Sequence, residues 1–226
     1  MQAKLQRQQI NADARRALVL DAARAVFANA GIDGANIRDI AKQAGYTPGA
    51  IYSYFESKEA IYGALLEESL ERLNTAVAEA RTFKSKPDKT LEARARAWFG
   101  FYLKHPKDLD LGFYLVKGLE PRGLTPELNA RLNSRLLDAL RPCESALLEI
   151  GLTPADAKRE STALFAHGVG LLLLAHTGRI RLFGHSAQTL FDTYLADLVL
   201  RCIKAPDGNA PLLASDDTAN QPDLFS

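Results

Sequence analysis

Residues 36–58, NIRDIAKQAGYTPGAIYSYFESK, decide the fold. They read as two short helices with a tight turn between them, followed at once by the start of a third. Asn36 is placed to cap the first helix, with Asp39 three residues on as its reciprocal partner. Ile37, Ile40, Ala41 and Ala44 then form one apolar stripe at helical spacing. Gly45 suits the left-handed position that ends a helix. Thr47 and Pro48 restart one, the hydroxyl as a cap and the ring as a pre-set φ at the first helical position. This second helix turns Ala50, Ile51 and Phe55 inward and offers Thr47, Gly49, Tyr52, Ser53 and Tyr54 outward. Ser57 opens the third, with Lys58 and Glu59 in its first turn. The pattern is a helix-turn-helix, whose second helix enters the DNA major groove.

The candidate DNA contacts follow from that geometry: Asn36, Arg38, Thr47, Pro48, Gly49, Tyr52, Ser53, Tyr54 and Lys58. Gly49 lets a backbone approach closely, and the tyrosines can donate phenolic hydrogen bonds to phosphate. Lys58 adds charge to the exposed N–H groups of a helix start. Either tyrosine has an alternative place, packed against the first helix. The second helix offers no Arg, Asn or Gln for bidentate base contacts, so its sequence preference is not legible.

Outward from this segment the chain reads as all-α. A first helix covers about Asp13 to Ala30, with Val19, Ala23, Val26, Phe27 and Ala30 on one face. A fourth begins at Ser57 and keeps its apolar period through Val77 to about Arg81. Further helices are expected from Asp88 to Lys104, through DLDLGFYLVKG, from Thr125 with a kink or break at Pro142, from Thr153, and from Ser186. Residues 162–175, TALFAHGVGLLLLA, are apolar almost all round, and Gly168 and Gly170 permit close helix approach. The last two helices therefore suggest a homodimer built through Phe165, Leu172, His176, Phe191, Tyr194, Leu195 and Leu198. A well-buried helix pair within a monomer is the alternative.

Net charge is +1, but residues 1–58 carry eight Lys or Arg against five Asp or Glu. That basic excess suits phosphate contacts, and Arg7, Arg15 and Arg16 form either a basic arm or solvated surface. Cys143 and Cys202 make neither a metal spacing nor a disulfide framework, which points to a reducing, cytoplasmic setting. The polar N-terminus lacks a signal-peptide core, and the longest apolar run, 163–175, is too short to span a bilayer, so no membrane association is expected. No catalytic or metal motif occurs, so no enzyme activity and no cofactor are expected.

Trp98, Phe101, Tyr102, His105, Phe113 and Tyr114 cluster on two adjacent helices, and His167 lies on a later one. An aromatic wall with few polar groups fits a small, largely apolar or aromatic effector, although each ring is equally readable as core. His167 and His176 are nine residues apart, on opposite helix faces, and cannot share a metal. Near the end, Gln221-Pro222-Asp223-Leu224-Phe225 resembles the short peptides that dock on the bacterial sliding clamp; an unstructured end is the plainer reading.

The ordered set from Val19 to Leu65, namely VLDAARAVF, Gly31, Gly34, IRDIAKQAG, TPGAIYSYF and SKEAIYGAL, resembles the TetR family of bacterial transcription regulators over about a fifth of the chain. The resemblance implies an N-terminal three-helix helix-turn-helix domain joined by a long helix to a C-terminal helical domain for ligand binding and dimerisation. It implies residues 1–12 as a flexible basic arm, 13–58 as the DNA-binding domain, 59–204 as the effector and dimerisation domain, and 205–226 as a disordered acidic tail. It further implies a homodimeric repressor on a palindromic double-stranded operator, released by a small-molecule effector. A dimeric architectural or adaptor protein without an effector is the competing expectation, favoured by a filled core in residues 88–150.

Overall fold

A computed structural model of the chain describes residues 2–113 and 124–204. Within these, every regular element is helical. In chain order they are α1 (Gln2–Gly34), α2 (Ile37–Ala44), α3 (Pro48–Tyr52), α4 (Lys58–Glu79), α5 (Pro87–Lys104), α6 (Pro106–Phe113), α7 (Pro126–Ile150), α8 (Pro154–His176), a 3-10 turn (Arg179–Phe183) and α9 (Ala187–Lys204).

Their boundaries come from the capping chemistry that the sequence displays. Ser57, Thr125 and Thr153 are extended residues whose hydroxyls accept from the backbone N–H of Ala60, Leu128 and Asp156 at the starts of α4, α7 and α8. Proline follows Thr125 and Thr153 at the first helical position, where its missing N–H is not needed. Gly151 closes α7 in the left-handed conformation, φ 116°.

Two expectations are corrected. Residues 2–12 are the first turns of α1 rather than a flexible arm, and the helix starts eleven residues earlier than periodicity alone indicates. Ala, Leu, Lys, Arg and Gln dominate this stretch, all strong helix formers with no Gly or Pro among them. Pro142 lies inside α7 without dividing it, and α7 packs on α4, α5 and α8. Residues 114–123 and the 205–226 tail, with Tyr114 and the Gln221–Phe225 motif, lie outside the described residues.

One hydrophobic core runs from Val19 through Ile40, Ile51 and Phe55 to Trp98, Phe191 and Cys202. α4 is common to its two ends. Ile61, Leu65 and Leu66 are buried near the helix-turn-helix, and Leu70, Leu73 and Val77 beneath the later helices. Its outer side is tied to three neighbours. Glu68 holds Arg24 of α1 at 3.0 Å, Glu71 holds Arg135 of α7 at 2.7 Å, and Arg72 pairs with Asp108 of α6. The Tyr62 hydroxyl donates to the Leu111 carbonyl, also on α6. Exposed pairs of this kind each contribute little to stability, but together they fix the pose of α4.

Candidate nucleic-acid interface and effector cleft

The local chemistry of residues 36–58 is realised bond by bond. The Asn36 side chain accepts from Asp39 N at 2.9 Å and donates back to its carboxylate at 2.6 Å. Gly45 ends α2 at φ 72°, its N–H reaching Lys42 O. Thr47 Oγ1 accepts from Ala50 N at 3.3 Å, with Pro48 at the first position of α3. Ile40 and Ile51 are fully buried and Phe55 nearly so, which seats α3 on α2 and α1.

The outward face carries Thr47, Pro48, Gly49, Tyr52 and Ser53, all exposed, and an added Cβ at Gly49 would meet nothing within 4 Å. Arg38 and Asn36 are exposed beside it. Three side chains have internal duties as well. Ser53 donates its hydroxyl proton to Ala50 O at 2.7 Å, leaving its oxygen to accept only. Tyr54 is half-buried beside the Arg15 guanidinium, and its hydroxyl raises the Arg15 pKa. Lys58 Nζ reaches Ala35 O at 3.3 Å and Glu59 at 3.9 Å, so its charge sits over the α1–α2 corner. Arg16 lies over the Phe55 ring, 4.7 Å from its centroid. Sequence reasoning left Arg15 and Arg16 undecided between arm and surface; the fold brings them to Tyr54 and Phe55, the residues just after α3.

The expected effector residues divide into two groups. Trp98 and Tyr102 are sealed in the core and Phe101 nearly so. Trp98 packs edge-on to Tyr102 at 5.7 Å and against Phe165 at 5.5 Å. Gly168 gives it room: a Cβ there would stand 2.5 Å from the indole ring. His167 stacks on Tyr194 at 4.1 Å, and burial lowers its pKa. Trp98 Nε1 and His167 Nε2 are buried without a hydrogen-bond partner among the described residues.

Phe101 and His105, in ring contact at 4.9 Å, instead edge a cleft of about 560 Å³. Its other walls are Glu68, Glu71, Arg72, Thr75, Ala76 and Glu79 of α4. The sequence signal for these is weak, because polar positions on a long helix ordinarily face solvent. Phe113 ends α6.

Of the expected dimer contacts, four are taken up by the protomer's own core. Leu172, Phe191, Leu195 and Leu198 are fully buried within the protomer, Phe191 stacked on Phe99 at 4.0 Å. His176 Nε2 is bonded to the Tyr102 carbonyl at 2.9 Å, and the half-buried Phe165 and Tyr194 pack on Trp98 and His167. The helix pair uses its most apolar stripe to close its own core. What remains outside is a second stripe, Ala166, Gly170 and Leu173 on α8 with Ala196, Leu200 and Ile203 on α9. Near it the 3-10 turn exposes Leu182 and Phe183.

Among the described residues no group of His, Cys, Asp or Glu is placed to hold a metal, and no helix is long and apolar enough to cross a membrane. Both cysteines are buried free thiols, Cys143 pushed up to about 12 by burial. The fold and its exposed α3 thus define a helix-turn-helix DNA-binding regulator.

Comparison with known proteins agrees. The family model for bacterial regulatory proteins of the tetR family matches residues 19–65. The HTH-type transcriptional repressor NicS of Pseudomonas putida is 32% identical, covering 85% of this chain and 94% of that one. The chain belongs to the TetR family of transcription regulators, which are not enzymes. Among solved structures, the regulatory protein SCO4313 superposes with a TM-score of 0.69 at 19% identity, over 84% of this chain and 97% of that one. The regulator FadR from Bacillus subtilis, in complex with stearoyl-CoA, gives 0.59 at 24%, over 80% and 96%.

Proposed function

We propose that this regulator is a ligand-responsive repressor. It binds a palindromic operator as a dimer, one α3 per half-site, and leaves it when a small, largely apolar or aromatic effector enters beside α5. The observation that carries this reading is the position of α4. One helix helps to bury the reading head at its start and forms a wall of the Phe101–His105 cleft further along. Half-sites lie about 34–36 Å apart on one face of the duplex, so a shift of α4 by a few ångströms misaligns both heads. An effector need only prefer the misaligned pose, and its coupling energy equals that preference. Thr47, Gly49, Tyr52, Ser53 and Arg38 face the groove in this reading, and Asn36, Pro48, Tyr54 and Lys58 hold the head in register or meet phosphate. The outer α8–α9 stripe supplies the dimer contact. Phe101 and His105 supply the aromatic edge that such a ligand would meet.

A second reading comes from FadR and its stearoyl-CoA: a long-chain acyl-CoA as the effector. The aromatic edge of the cleft, Phe101 with His105, is why the smaller effector ranks first. The architectural alternative predicts no effector at all.

Selection of bound fragments from genomic DNA, followed by gel shifts with small aromatic compounds and with stearoyl-CoA, separates the three. A palindromic site released by an aromatic compound supports the proposal. Release by stearoyl-CoA alone would replace it with the second reading, and sequence-neutral binding would favour the architectural one.

A further inference from the structure

We infer that the first turns of α1 form a second DNA-contact element, which lays a basic helix stripe along the phosphates flanking each half-site. The inference rests on the DNA-binding role of the helix-turn-helix and extends it. Gln6, Arg7 and every position from Gln9 to Leu18 except half-buried Ala12 are exposed, and core packing begins only at Val19. Residues 9–18 are therefore about 15 Å of largely exposed helix, with Arg15 and Arg16 turned to Tyr54 and Phe55. A helix of that length standing alone in water is marginal, so an unpacked one calls for a partner.

Charge and register identify the partner. Lys4, Arg7, Asn11 and Arg15 follow one another at intervals of three, four and four residues, which places them on one stripe. Asp13, the single acid before Asp21, is nine residues from Lys4 and so falls on the opposite side. It is also occupied locally, accepting from Gln9 at 3.0 Å. The stripe is aimed by its last member: Arg15 meets Tyr54 beside α3. The next residue, Arg16, lies over Phe55. The basic face is thus continuous with the surface that meets DNA. From Arg15 to Lys4 it extends about 16 Å, or about five base pairs of duplex.

The test uses the full chain and a mixed-sequence duplex of about 40 base pairs, with affinity followed as a function of salt by fluorescence anisotropy. Lys4→Gln with Arg7→Gln removes two charges while keeping helix propensity. Two lost phosphate contacts in each protomer, four in the bound dimer, should lower the slope of log K against log salt by roughly 3–4 and weaken binding at least tenfold near 0.1 M salt. Lys4→Arg with Arg7→Lys should restore both. Arg179→Gln with Arg181→Gln, an equal charge removal beside the 3-10 turn, should leave the slope unchanged. A wild-type slope in the Lys4/Arg7 double variant overturns the inference, and so does an equal drop in the Arg179/Arg181 control. Tyr52→Ala separates the two levels. If it weakens binding while the Lys4/Arg7 pair does not, the reading head stands and the helix stripe falls. A wild-type protein with no salt-dependent affinity for duplex removes both.

Discussion

The reading head and the domain that follows it solve opposite problems with the same helices. Between Asn36 and Lys58 most polar side chains do a local job: Asn36 and Thr47 cap, Gly45 reverses the chain, and Lys58 covers the α1–α2 corner. Few polar groups are left over inside. Around α5 and α8 the order is reversed. Large rings fill the interior, and among the described residues Trp98 Nε1 and His167 Nε2 are buried there without a hydrogen-bond partner. An unmet buried donor costs on the order of 1–3 kcal/mol, so the second region carries a cost that the first avoids. A surface that must present one fixed shape to DNA gains from satisfied caps.

The largest expected effect tests that contrast directly. Trp98→Ala should lower unfolding stability by about 3–5 kcal/mol in urea titrations, since a fully buried indole is lost. Trp98→Phe should cost much less, because it also removes the unpaired N–H. Equal losses in the two variants would mean that the indole N–H has a partner and that the contrast is overstated.

Next in size are the glycines of α8. Gly168→Ala drives a Cβ into the Trp98 ring and should destabilise by about 1–3 kcal/mol. Gly170→Ala meets nothing in the protomer. It should leave folding intact or slightly improved while weakening self-association in sedimentation equilibrium. Unaltered association would remove Gly170 from the dimer contact.

In the reading head, Thr47→Ala should cost about 1 kcal/mol through the lost cap, and thermal unfolding would register it. Lys58→Ala should reduce the salt slope of DNA binding by about 1 per protomer, about 2 for the bound dimer; an unchanged slope would take Lys58 out of the phosphate contacts.

The smallest effect concerns pH. Burial holds the folded pKa of His167 below its ordinary 6.5. Its contribution to stability is therefore present above that value and is lost as pH falls from it towards the folded pKa. Urea midpoints of wild type should drop more than those of His167→Gln between about pH 7.5 and 5.5. Parallel curves would show that His167 is not held neutral by burial.

The sequence alone determined what is local. Caps, turn glycines and apolar period act over three or four residues, so Asn36, Gly45, Thr47, Ser57, Thr125 and Thr153 could be assigned without knowing any neighbour in space, and α2, α3, α4, α7 and α8 begin where those residues place them. Family resemblance and an all-helical fold were legible for the same reason. Tertiary structure decided which of two apolar stripes a helix keeps for itself. Along α8 and α9 both stripes look alike in sequence, and only packing shows that Leu172, Phe191, Leu195 and Leu198 close the protomer while Gly170, Leu173, Leu200 and Ile203 stay outside. It also decided that Arg15 meets Tyr54 and that Phe101 and His105 share a cleft with the glutamates of α4. Those pairings depend on how helices cross, and crossing is set by the summed fit of many side chains rather than by any one of them.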